Sequence, residues 1–145
     1  MKEQRRTFAQ DIVKYLDKPF EVGGSGENGF DCLGLLYLHL KEQGKEKNLI
    51  TEIDGIDLTN YGNFYPNATQ EEIKEKLIKI FEANGEEIPL NKKVAGDVVI
   101  IKNDKGDYFP ALYVGGGNFL SSFINAGVRV LRLCKEMEVV KVRRI

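Results

Sequence analysis

The 145-residue chain has no tryptophan, one histidine, two cysteines and four prolines. Each scarcity excludes something. One histidine (His39) cannot build a His-based zinc site, and no Cys/His cluster has ligand spacing. Cys32 and Cys134 are too few for a disulfide framework, and in a reducing compartment they are expected to stay unpaired. Neither charge sign dominates: 21 Lys and Arg face 22 Asp and Glu, for a net charge of −1. Nothing global therefore points to nucleic acid or an anionic membrane surface. No apolar run approaches the ~18 residues of a membrane span. The opening MKEQRRTF holds no apolar signal core, so the expectation is no signal peptide and a location that is cytoplasmic or reached by an export route that needs no signal. The pairs Arg5-Arg6 and Arg143-Arg144 read as solvated termini.

What is present suits one folded unit over residues 1–145. The chain is 42% hydrophobic and 30% charged, ordinary values for a globular domain with a real core. Thr7 can cap a first helix carrying Phe8, Ile12, Tyr15 and Leu16, which Pro19 ends. Residues 32–43 form a strongly apolar helix, buried on most sides, with Gly44 as its stop. Residues 45–68 lack a period and read as a wrapping loop rich in turn formers and tyrosines. Thr69 with Glu72 makes a capping box that opens an amphipathic helix ending near Asn84-Gly85. Beyond Pro89 the pattern changes to strands at 98–101, 108–114, 119–124, 128–133 and 139–142, with hairpin-length gaps. Helices first and antiparallel strands after give an α+β domain. There is no internal repeat or low-complexity tract.

The stretch GGSGENGFDCLGL at residues 23–35 carries the chemistry. Gly24, Gly26 and Gly29 match G-x-G-x-x-G, but no strand-turn-helix unit surrounds them and no Lys-Ser or Lys-Thr follows. Nucleotide binding is not expected. Cys32 instead opens a helix, where the positive end of the helix dipole favours thiolate and free backbone N–H groups can hold an oxyanion. A small core residue in an apolar helix is the competing reading, and the residues alone leave both open.

The order P-F-x-x-G-G, G-F-D-C-L-G-L, G-D-V-V-I, A-L-Y-V-G-G-G-N-F and G-V-R-V resembles the NlpC-type (NlpC and p-sixty) cysteine peptidases. The Asp-Cys-Leu-Gly-Leu form, Tyr65-Pro66 and the Arg-Arg tail resemble that family's phage-tail and gene-transfer-agent branch. The resemblance implies a papain-like fold, with a Cys-bearing helix packed on a C-terminal antiparallel sheet, and action on peptidoglycan stem peptides. It implies no cofactor and no metal. Cys32 takes the nucleophile position, with Asp31 before it. The family's base histidine opens the strand written H-V-G-I-Y-L-G-N-G, which reads F-P-A-L-Y-V-G-G-G here, so Phe109 stands at that position. Ser121, twelve residues on, takes the third triad position. Phe20 replaces the family's tyrosine near the reacting carbonyl. Read from the residues themselves, Tyr61, Phe64 and Tyr65 either line the groove above Cys32 or belong to a loop that only covers the core.

His39 cannot stand in as base. It lies seven residues along the same helix, ~10.5 Å from Cys32 along the axis, whereas a nucleophile–base pair needs ~3 Å. The expectation is a degenerate peptidase of phage-tail or prophage character that binds, or formerly cut, peptidoglycan stem peptides. The alternatives are an active cysteine hydrolase with a non-standard base, a structural tail-assembly module among phage-tail proteins, and a partner chain that supplies the missing histidine.

Overall fold

A computed structural model describes residues 15–16, 25–26, 29–30, 32–45, 49–50, 52–53, 56–57, 69–123 and 127–145. The first helix expected from Thr7 lies outside the described residues, apart from Tyr15 and Leu16. Tyr15 is buried in the main core.

Two helices and one principal sheet make the described fold. A two-residue hairpin, β1 (Ser25–Gly26) with β2 (Gly29–Phe30), precedes helix α1 (Cys32–Glu42). A second small hairpin pairs β3 (Glu52–Ile53) with β4 (Ile56–Asp57) inside the stretch expected to be loop. Helix α2 spans Gln70–Ala83. The main sheet holds β5 (Glu86–Glu87), β6 (Val98–Lys102), β7 (Tyr108–Gly115), β8 (Asn118–Phe123), β9 (Gly127–Arg132) and β10 (Glu138–Arg144). A 3-10 turn at Leu90–Lys92 leads from β5 towards β6.

Local chemistry fixes the helix ends. Gly44 takes φ 75°, its N–H reaches the Lys41 carbonyl at 3.0 Å, and the Lys45 N–H reaches the Leu40 carbonyl at 2.9 Å. This double bond across a left-handed glycine satisfies carbonyls the helix leaves open. At α2, the Glu72 N–H donates to Thr69 Oγ1 and the Thr69 N–H donates to the Glu72 carboxylate, both at 3.1 Å. That reciprocal pair satisfies two orphan donors, as the sequence predicts.

The sheet is antiparallel in the order β5-β10-β6-β7-β8-β9. The last strand pairs with β6 and β5, not with its chain neighbour β9. In a flat sheet β9 and β10 would lie ~19 Å apart. The link at residues 133–137 folds back on itself, with the Met137 N–H on the Cys134 carbonyl at 3.1 Å. At full extension it spans only roughly 20 Å, so with that turn the sheet has to curl.

Curling gives the sheet two dissimilar faces. One carries Val98, Ile100, Leu112, Leu120 and Val128, packed against Leu35 and Leu36 of α1 and Leu77, Ile80 and Phe81 of α2. The other closes on Ile88, Val99, Ile101, Ala111, Phe119 and Val142. No described helix residue joins this second cluster, yet Val99, Ile101 and Ala111 are fully buried. The period-2 alternation of strand side chains separates the two sets.

The C-terminal arginines correct the expectation of a solvated tail. Arg143 is buried, and its guanidinium donates to the carbonyls of Asn84 (2.9 Å), Gly85 (2.7 Å) and Glu82 (3.4 Å). A cation on the last carbonyls of α2 complements the negative end of the helix dipole. Arg144 grips the Asp97 carboxylate instead. Both arginines belong to β10, and pairing with β5 and β6 carries them to groups that accept them.

Candidate active site

Helix α1 begins at Cys32. The residue expected to act as nucleophile therefore stands where the unpaired N–H groups and the positive dipole end of a helix are concentrated. Leu35 and Leu36, about one turn further on, are buried against the sheet and fix the helix on β7 and β8. Phe20, Asp31, Tyr61 and Tyr65 lie outside the described residues, as does Phe64.

Phe109 and Ser121 occupy neighbouring strands and share one face. Phe109 packs against the Ile88–Val99–Phe119 cluster, its ring edge-on to Phe123 with centroids 5.9 Å apart and planes at 66°. By strand alternation this face is opposite the one that receives Leu35 and Leu36. The position that would hold a base in the sequence pattern is thus an apolar ring in an aromatic pair.

Ser121 is buried, and its hydroxyl donates to the Pro110 carbonyl at 2.9 Å. The reason is local. Pro110 sits in a strand flanked on both sides, where proline removes a ladder donor. The β7–β8 pairing runs from Gly115↔Asn118 to Leu112↔Leu120, and towards Pro110 the serine side chain takes up the carbonyl. A hydroxyl spent this way does not orient a base. Ser122, which the sequence pattern did not single out, is also buried, but it lies on the helix side: it follows Leu120 by two residues and pairs with Val128. Only the register, not the sequence, distinguishes the two serines.

The one histidine of the chain is 2% exposed. His39 lies near the far end of α1, edge-on to Tyr15 at 6.2 Å and 80°. The Tyr15 hydroxyl in turn donates to the Glu42 carboxylate. Cys134 is exposed and free, in the turn between β9 and β10. Among the described residues no group of three or more His, Cys, Asp or Glu side chains could hold a metal ion. Among the same residues no helix is long and apolar enough to cross a membrane.

Asp97 ends the Ala95-Gly96-Asp97 turn that starts β6. Its carboxylate accepts from Arg144 Nε at 2.8 Å, from Arg144 Nη2 at 2.9 Å and from the Val94 N–H at 2.9 Å. Burial alone would raise its pKa. The bonds from Arg144 and Val94, with the charges of Arg144 and Lys45, outweigh that and hold it below the usual carboxylate value. This is a structural knot that locks the β6 entry to the last strand.

The arrangement agrees with known proteins. The fold is similar to the NlpC/p60 domain of the peptidoglycan hydrolase SagA, with a TM-score of 0.59 at 20% identity over 96% of this chain and 97% of that one. It is similar to an NLP/P60 family lipoprotein-like protein of Staphylococcus aureus, with a TM-score of 0.60 at 19% identity over 99% of this chain and 42% of that one. NlpC2 from Trichomonas vaginalis gives 0.58 at 17% identity over 94% and 45%. The chain therefore spans less than half the length of the latter two. These likenesses establish the α+β, papain-like fold. A search of curated proteins found no match. The NlpC/P60 family pattern itself matches residues 17–141, and the chain, with a cysteine at the head of its sheet-packed helix, belongs to the NlpC/P60 family.

Proposed function

We propose that this domain holds peptidoglycan stem peptides at the start of α1 without efficient turnover. One observation carries the reading: the only imidazole of the chain is buried near the far end of α1, seven residues from Cys32. That is ~10.5 Å along an intact helix. Phe109 supports it, since the strand position matched to the family's base carries an apolar ring packed on Phe123. Loss of a general base costs ~10²–10⁴-fold in rate. Cys32 is the first residue of α1, and the positive end of a helix dipole favours thiolate and reactivity towards electrophiles.

The phage-tail part of the proposal rests on the Asp31-Cys32-Leu33-Gly34-Leu35 likeness, with a virion-associated location as its consequence. Mass spectrometry of purified particles from a host carrying the gene tests that part, and absence from the particles contradicts it. Titration calorimetry with a γ-D-glutamyl stem peptide tests the binding reading. The expected result is saturable binding weakened by a bulky Cys32→Trp change; no binding by the folded wild-type protein contradicts it.

A further inference from the structure

We propose that the outer edge of β9 is a docking edge, which an extended acidic peptide segment of a partner protein joins as an additional strand. The direction of the backbone groups follows from the sheet itself. The Tyr113 N–H donates to the Asp97 carbonyl and the Tyr113 carbonyl accepts from the Gly96 N–H, both at 2.9 Å, so the backbone of Tyr113 faces the β6 side. Backbone groups of successive strand residues alternate in direction. Those of Leu112 therefore face β8, opposite Leu120. Those of Phe119 and Ser121 face β9, opposite Leu131 and Arg129. On β9 the N–H and carbonyl groups of Val128, Val130 and Arg132 then point out of the sheet. One bond checks this independently: the Arg129 guanidinium donates to the Val128 carbonyl at 3.0 Å, which a carbonyl turned towards β8 would not accept.

Sheet edges that stay single are usually blunted by a proline, a bulge or a covering segment. The opposite edge of this sheet has all three: β5 pairs with the end of β10, Pro89 follows, and the register of β10 shifts between Val139 and Lys141. β9 pairs with β8 through six consecutive residues without a shift, and it contains no proline. Val130 is 48% exposed, and Arg129 and Arg132 are exposed as well. A segment lying against this edge would take much of Val130 out of water. Among the described residues no backbone bond reaches Val130 or Arg132 from outside. Charge selects the occupant. The strand G-V-R-V-L-R puts one arginine on each face, Arg129 opposite Ser121 and Arg132 opposite Asn118, and holds no acidic residue. An incoming strand takes its main-chain bonds from Val130 and Arg132, and its carboxylates meet a guanidinium on either face. A second copy fits less well. Its β5 offers only two residues, and its β9 would bring like charges together.

The probe is the peptide acetyl-Thr-Val-Glu-Val-Glu-Val-Thr-amide, followed by chemical-shift titration and amide hydrogen exchange of the labelled protein. Without peptide, the Val130 and Arg132 amides should exchange about tenfold or more faster than those of Arg129 and Leu131, which are bonded to β8. Saturating peptide should slow the first pair by about tenfold or more, with shift changes concentrated in β9. The same peptide with lysine in place of glutamate should bind about tenfold or more weakly, and so should the glutamate peptide to Arg132→Glu. Val130→Pro removes an outward donor at an edge position, where proline is tolerated. It should keep the fold and lose the peptide. If it does not fold, Arg132→Glu and the wild-type exchange pattern still decide. No protection of Val130 and Arg132 at millimolar peptide overturns the proposal, as does equal binding of the lysine peptide. Protection of the same amides that grows with protein concentration alone overturns the choice of occupant in favour of a second copy. None of these readings involves Cys32, so failure here leaves the proposal for the start of α1 standing.

Discussion

Arg144 holds Asp97 by both carboxylate oxygens, at 2.8 and 2.9 Å, and so ties the last strand to the turn that begins β6. The Asp97 pKa is lowered in the fold. A lowered pKa contributes stability that is fully present above the unfolded value, about 3.9 for aspartate. It is lost as pH falls through the folded value. Asp97→Asn is therefore expected to lower the melting temperature by several degrees at pH 7. The gap between mutant and wild type should shrink below about pH 4. Thermal melts by circular dichroism between pH 2.5 and 7 check this, and a gap that is constant over the range contradicts it.

Gly85 has φ 68°, and a Cβ added there would stand 2.4 Å from the Arg144 carbonyl oxygen. Both the backbone conformation and the space require glycine. Gly85→Ala is expected to cost at least about 2 kcal/mol, combining left-handed strain with the shift that the clash forces. Urea unfolding measures it, and a loss below half that value would show that β10 moves aside at little cost.

Thr69 caps α2 from an exposed position. Thr69→Ala is expected to cost about 1 kcal/mol, while Thr69→Ser or Thr69→Asp should keep most of it. Chemical denaturation of the three variants decides.

Much of the fold was legible because its signals are local. Thr69 with Glu72 marks a helix start, and Gly44 marks a stop, through bonds made within a few residues. The strands at 98–101 and 108–114 were readable from their apolar, β-rich runs and the hairpin-length turn between them. What remained hidden depends on partners far apart in the chain. The pairing of β10 with β6 places Arg143 under α2 and Arg144 on Asp97, 47 residues away, and no local pattern announces it. The same holds for the serines: Ser121 and Ser122 are equivalent as letters. The β8 register and the missing N–H of Pro110 assign one to a carbonyl and the other to the helix. That Phe109 falls at the position of the family's histidine is an expectation of the family resemblance alone, since a phenylalanine in a strand is otherwise an ordinary core residue.

The opening of the β7–β8 ladder at Pro110 gives a further expectation. Ser121→Ala removes the hydroxyl that takes up the Pro110 carbonyl. A buried acceptor left without its donor costs about 1–3 kcal/mol. Hydrogen exchange should rise at Phe109, Ala111 and residues 121–123 more than in β6. Uniform exchange across the sheet would show that the bond is not what holds the two strands together there.

The central claim is that the scaffold is kept while the base is lost, and hydrolysis tests it most directly. Purified wild-type protein and Cys32→Ala are incubated with γ-D-glutamyl stem peptides, and the fragments are counted by mass spectrometry. The account predicts that the wild type releases no more product than Cys32→Ala. Robust wild-type cleavage that disappears in Cys32→Ala would contradict it.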